Sequence, residues 1–223
     1  MNFARTTKAL AITAVAAFAL SGCIKLDMDM KVKADTKIDG TMIVAFNEEA
    51  MKSMEGMMDG LGDKKSKTKT TKQKSFEQQT KDGVKDAQAK LPKGSTAKLY
   101  KKDGWLGQEI TFSNVDAEVA LGAGLGAGST TGSTSSTDTL KVTKVGNTLQ
   151  LNGSLDLGGG TGDSSGADMS GMMGATKPEL RIKFSFPGNV TSASKGGKIS
   201  GKSVTWTPKF GEKLILKAVA KDN

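Results

Sequence analysis

Regular patterning begins at IKLDMDMKVK, residues 24–33, where Ile24, Leu26, Met28, Met30 and Val32 alternate with Lys25, Asp27, Asp29, Lys31 and Lys33. A period of two puts the apolar set on one face and the charged set on the other, which predicts a half-buried strand. Asp35-Thr36 permits a turn, and Ile38, Gly40, Met42, Val44 and Phe46 resume the alternation, so the two runs predict an antiparallel hairpin. The period then changes. Asn47 followed by Glu48 and Glu49 is a helix start, with a capping side chain and two acids near the positive end of the dipole. Met51, Met54, Met58 and Leu61 follow at spacings of three and four, with Met57 alongside, and Gly60 and Gly62 end the helix. A second helix is predicted from Phe76 to about Lys90, with Phe76, Thr80, Val84, Ala87 and Leu91 as its inner edge and Pro92 as its stop.

Most of the remainder reads as strands. Leu99–Lys102 and Trp105–Phe112 flank Asp103-Gly104, which suits a type I′ turn because glycine accepts positive φ. A second hairpin, Leu140–Val145 and Thr148–Leu157, turns at Gly146-Asn147, and Leu180–Phe186, Ser203–Thr207 and Lys213–Ala220 complete the set. Two glycine-rich insertions, 121–138 and 158–175, are too small and polar to bury much apolar area and predict flexible segments. Strands joined by tight turns, with the helices grouped, predict an α+β class rather than alternating βαβ units. Trp206 lies in a strand with Val204 on its inner face and should be buried, its indole N–H needing an acceptor. Trp105 follows a turn, where a simple turn residue is the first reading and partial exposure at headgroup level the second.

The leader changes the picture of where this body resides. Arg5 and Lys8 precede an apolar stretch from Ala9 to Leu20, and Ser21-Gly22 follow, the three parts of an export signal. The chain has one cysteine, so no internal disulfide explains it. Leu20-Ser21-Gly22-Cys23 resembles the bacterial lipobox, in which the Cys sulfur receives diacylglycerol and cleavage makes that Cys the new N-terminus. The expectation is a signal peptide over 1–22, one domain over 23–223, and a lipid anchor at Cys23 on the extracytoplasmic face of the cell membrane.

The full chain carries a formal +9; removal of 1–22 takes Arg5 and Lys8 with it and leaves +7. Much of that charge sits in a Lys-rich loop, 63–75, where Lys64, Lys65, Lys67, Lys69, Lys72 and Lys74 occur without an acid between them. Such a run is first a solvated loop; held near lipid headgroups it would also face an anionic membrane. It lacks the aromatics and arginines of a nucleic-acid module, so nucleic acid is not expected as a partner.

The lipobox with its alternating strand, KDGWLGQ (102–108) and the closing FPGNVTSASKGGKISGKSVTWTPKFGEKLILKAVA (186–220) together resemble the LppM-like domain of actinobacterial envelope lipoproteins. The FPG turn and the VTW strand are the most specific parts. The resemblance implies a twisted, mostly antiparallel sheet, partly barrel-like, with one or two helices packed against it, holding lipid or glycolipid. Many relatives of this kind continue into a C-terminal membrane helix, whereas this chain ends at Asn223, so attachment is expected to rest on the N-terminal diacylglycerol.

Chemistry is scarce. The absence of histidine removes the commonest general base, the Ser-His triad and most zinc sites. With the thiol acylated, no catalytic residue, cofactor or metal site is expected. Asp27 and Asp29 lie on a strand face where paired acids ordinarily meet water or lysines, and LGAGLGAG (121–128) lacks the lysine and hydroxyl of a phosphate loop. Met51, Met54, Met57 and Met58, part of eleven methionines, read first as core packing, then as an adaptable wall for acyl chains, and last, with MSGMM (169–173), as copper(I) ligands. The functional expectation is a non-enzymatic binding protein for an amphipathic envelope lipid, held between a curved sheet and the Met-bearing helix. The alternative is a scaffold or interaction lipoprotein with a filled core, its protein partners unspecified.

Overall fold

The computed structural model describes residues 24–53, 75–128, 138–157, 178–209 and 212–222. Cys23, Met54, Met57, Met58, the lysines from Lys64 to Lys74, and the second glycine-rich insertion lie outside these residues, as do the whole leader and residues 129–137.

The opening alternation forms β1 (Ile24–Val32) and β2 (Ile38–Asn47), paired antiparallel from Ile24↔Phe46 to Val32↔Ile38. Met28 and Met30 are fully buried and Lys31 is exposed, as a period of two requires. Asn47 then caps a helical stretch over residues 48–53, its Oδ1 accepting the N–H groups of Glu49 and Ala50 at 3.1 Å. Helix α1 (Phe76–Lys90) starts at a Ser75 cap whose Oγ accepts from Gln78 N, and ends at Leu91, extended before Pro92. Next come β3 (Thr96–Lys102) and β4 (Trp105–Val115), joined at Asp103 and Gly104, both at positive φ.

Helix α2 (Ala117–Gly128) follows, and it corrects the expectation of a flexible segment from residue 121. Ala117, Ala120, Leu121 and Gly124 recur at helical spacing on a buried face. Gly124 lies so close to Met42 that a Cβ there would collide with the thioether. Burial against the sheet offsets the poor helix propensity of glycine, a gain that local composition does not display.

The remaining strands are β5 (Thr139–Val145), β6 (Thr148–Asp156), β7 (Glu179–Ser185), β8 (Val190–Ala193), β9 (Lys198–Ser200), β10 (Ser203–Trp206) and β11 (Lys213–Lys221). They complete a seven-stranded sheet, β3-β4-β2-β1-β7-β10-β9, and a four-stranded sheet, β5-β6-β11-β8. Pairing is antiparallel except between β1 and β7, where Lys25↔Glu179 through Lys31↔Ser185 run parallel. The class is α+β and mostly antiparallel; the two sheets do not join into a closed barrel.

One hydrophobic cluster takes in the inner faces of both sheets and α2, from Leu26, Met28, Met30 and Met42 to Phe184, Trp206, Leu149 and Leu216. These side chains interdigitate as a filled interior. Trp206 is buried and packs edge-on against Phe184, with ring centroids 6.4 Å apart, but its Nε1 finds no acceptor among the described residues. Trp105 is also buried, which corrects the partial exposure that its place after a turn allowed.

Candidate functional site

The strand ends beside Cys23 carry an amphipathic surface. On the inner face Ile24 is in register with Phe46, and Phe46 with Leu106. Phe46 meets Phe76, the first residue of α1, edge to face at 6.1 Å between centroids. Ile24, Phe46, Phe76 and Val84 are only half-buried, and Ala87 is the one fully buried residue of α1. Helix α1 thus covers this end less completely than α2 covers the middle of the sheet. Met51, the only predicted lipid-lining methionine among the described residues, is half-buried at the fourth position after the Asn47 cap.

Charge borders the same end. The Lys101 ammonium lies 2.9 Å from Glu77 and 3.8 Å from Glu48, while Lys81 lies 2.7 Å from Glu77. Hydrogen bonds from Lys81 and then Lys101 hold the Glu77 carboxyl down at about 2. Glu48 N donates to Gly104 O at 2.8 Å and ties the β3–β4 turn to the helical stretch. On the outer face Lys25 bonds Glu179 at 2.6 Å, and its ammonium sits 5.7 Å from the centre of the Trp105 ring. Burial opposes the Lys25 charge, but Glu179 outweighs it and raises the pKa.

That outer face continues as a ladder. Arg181 reaches Asp27 at 2.6 Å and Asp29 at 3.3 Å, and Lys183 reaches Asp29 at 3.3 Å. The two acids therefore hold the β1–β7 seam together and face cations across it. Sequence reasoning placed them on a polar face without finding their partners. The signal was present in complementary charge order, Lys-x-Asp-x-Asp at 25–29 against Glu-x-Arg-x-Lys at 179–183.

The described residues bring the apolar rings and the charged border together at one end. They set a half-buried pair of aromatic rings beside lysines and glutamates joined in ion pairs. Met28, Met30 and Met42 belong to the packed interior. Two hollows are shallow and open to solvent, of about 270 Å³ beside Asn152 and Lys217 and about 190 Å³ beside Lys25 and Arg181. Ligand pockets for molecules of moderate size begin near ~300 Å³ and enclose their contents. No helix among the described residues is long and apolar enough to cross a membrane.

The family model for the LppM domain matches residues 25–222. The fold is similar to the NMR structure of the folded domain of the Mycobacterium tuberculosis LppM protein, with 17% identity over 89% of this chain and 90% of that one and a TM-score of 0.49. No curated protein matches the chain.

Proposed function

The chain belongs to the LppM domain family, an envelope lipoprotein-type domain, and from that premise we propose that acylated Cys23 holds it at the outer face of the cell membrane, where the anchor-proximal end contacts amphipathic lipid. No bond is made or broken. Acyl chains would lie against the half-buried rings, gaining roughly 25 cal/mol per Å² of apolar area withdrawn from water. Ammonium groups on the border, Lys101 and Lys81, and the run from Lys64 to Lys74 would meet an anionic or hydroxylated headgroup.

The observation that carries this reading is the Ile24, Phe46 and Phe76 cluster, which begins one residue after the anchor position. The buried cluster between the sheets favours proposing lipid contact at this seam over the space between them. Met54, Met57 and Met58 lie outside the described residues, and their spacing after Met51 in the sequence is the ground for proposing them as further lipid contacts. The filled interior also supports the second reading, an interaction lipoprotein that works through its surface.

Mass spectrometry of lipid carried by the purified full chain separates the two. Lipid carried by the native chain and lost from Phe46→Gln, Phe76→Gln and Met54→Lys supports the seam. A native chain as free of lipid as an unrelated lipoprotein overturns lipid contact and leaves the interaction reading.

A further inference from the structure

We propose that the outward face of the four-stranded sheet docks an anionic polysaccharide, a chain of hydroxyl-bearing units that also carries carboxylate or phosphate groups. Strand period defines the face. Leu140 and Val142 are buried on β5, so Lys141 and Thr143 point outward; Leu216, Ala218 and Ala220 are buried on β11, so Lys217 and Lys221 point outward. Register places Lys141, Asn152 and Lys217 in one row across β5, β6 and β11, with Thr143, Gln150 and Val219 in the next. Strands spaced about 4.8 Å apart put the stems of Lys141 and Lys217 about 10 Å apart, and the four-residue step from Lys217 to Lys221 spans about 13 Å.

The two sheets treat their charges differently. On the seven-stranded sheet Lys25, Arg181 and Lys183 are neutralised by Glu179, Asp27 and Asp29 across the β1–β7 seam. On the four-stranded sheet Lys141, Lys217 and Lys221 have no ion-pair partner among the described residues, and the face's one carboxylate, Asp156, lies at its Lys213 end. Positive groups this close reinforce one another's potential and attract a polyanion.

Beside Lys217 runs the 270 Å³ trough, whose polar lining offers Gln150, Asn152 and Ser192, while the Ser194 hydroxyl there already donates to Ile215 O and accepts from Lys217 N. Amides and hydroxyls exchange directional hydrogen bonds with sugar hydroxyls, which binding to a bilayer by charge alone does not use. Among the described residues the face carries no aromatic side chain on which a nucleic-acid base could stack. None of these residues belongs to the anchor-proximal seam, so the proposal stands apart from lipid contact.

The test titrates the purified full chain with polygalacturonate at low ionic strength, with neutral dextran and with vesicles of phosphatidylglycerol and phosphatidylcholine. The triple variant Lys141→Gln, Lys217→Gln, Lys221→Gln should bind polygalacturonate about tenfold or more weakly, whereas Lys85→Gln, Lys90→Gln, Lys93→Gln, an equal loss of charge at exposed positions away from this face, should stay within about threefold of the native chain. Equal losses in the two triples would mean that net charge alone binds, and would overturn the proposal. So would a native chain that ignores polygalacturonate, or a face triple that loses only vesicle binding, which would make the surface a membrane contact.

Discussion

Asp27 of β1 and Arg181 of β7 lie 2.6 Å apart, carboxylate to guanidinium, across the one parallel seam of the seven-stranded sheet, although 153 positions separate them. Burial works against the Arg181 charge, but hydrogen bonds and attraction from Asp27, then Asp29, outweigh it and raise the pKa. The pair therefore fixes register where no hairpin turn can.

Arg181→Met removes the cation that bridges both acids. Because these groups are partly solvated, the loss should be modest, about 1–2 kcal/mol in urea unfolding. A double-mutant cycle with Asp27→Asn should return a coupling of about 1 kcal/mol. Coupling near zero would show that the pair does not hold the seam.

Neighbouring glycines of α2 should respond in opposite directions. Nothing lies within 4 Å of a Cβ built at Gly122, so Gly122→Ala should stabilise by about 0.5–1 kcal/mol through helix propensity. At Gly124 the side chain meets buried Met42 and Phe112, and Gly124→Leu should cost about 2–3 kcal/mol. Thermal unfolding of both variants checks the pair, and equal responses would deny α2 its close approach to β2.

Glu77 should titrate near 2 rather than near 4.5 when its carboxyl carbon is followed by NMR. A carboxyl whose folded pKa is depressed adds stability above its unfolded pKa and loses it as pH falls, here through the window from about 4.5 down to about 2. Lys81→Ala and Lys101→Ala should each move the midpoint upward. A midpoint unmoved by Lys101→Ala would mean that the contact between α1 and β3 is not populated in solution.

Cys23→Ser cannot accept diacylglycerol. The variant should leave the detergent-rich phase and the membrane fraction, because the anchored form gains roughly 0.8 kcal/mol per buried methylene and the folded body carries half-buried rings alone. Retention of Cys23→Ser in the membrane fraction would show that something other than an acylated sulfur holds the chain there.

The sequence alone determined what local period and turn chemistry encode. The alternation at 24–32 gave β1, Asp103-Gly104 and Gly146-Asn147 placed two hairpins, and Pro92 marked the stop of α1. It also carried the family resemblance and the lipobox that motivates the anchor. Tertiary structure decided the pairing of β1 with β7, the division into two sheets, the helix at 117–128 and the burial of Trp105. Each depends on a partner remote in the chain. A parallel seam has no turn to announce it, a glycine-rich helix becomes stable only against the surface it covers, and Phe46 and Phe76 meet only after the intervening chain has returned to the same strand end.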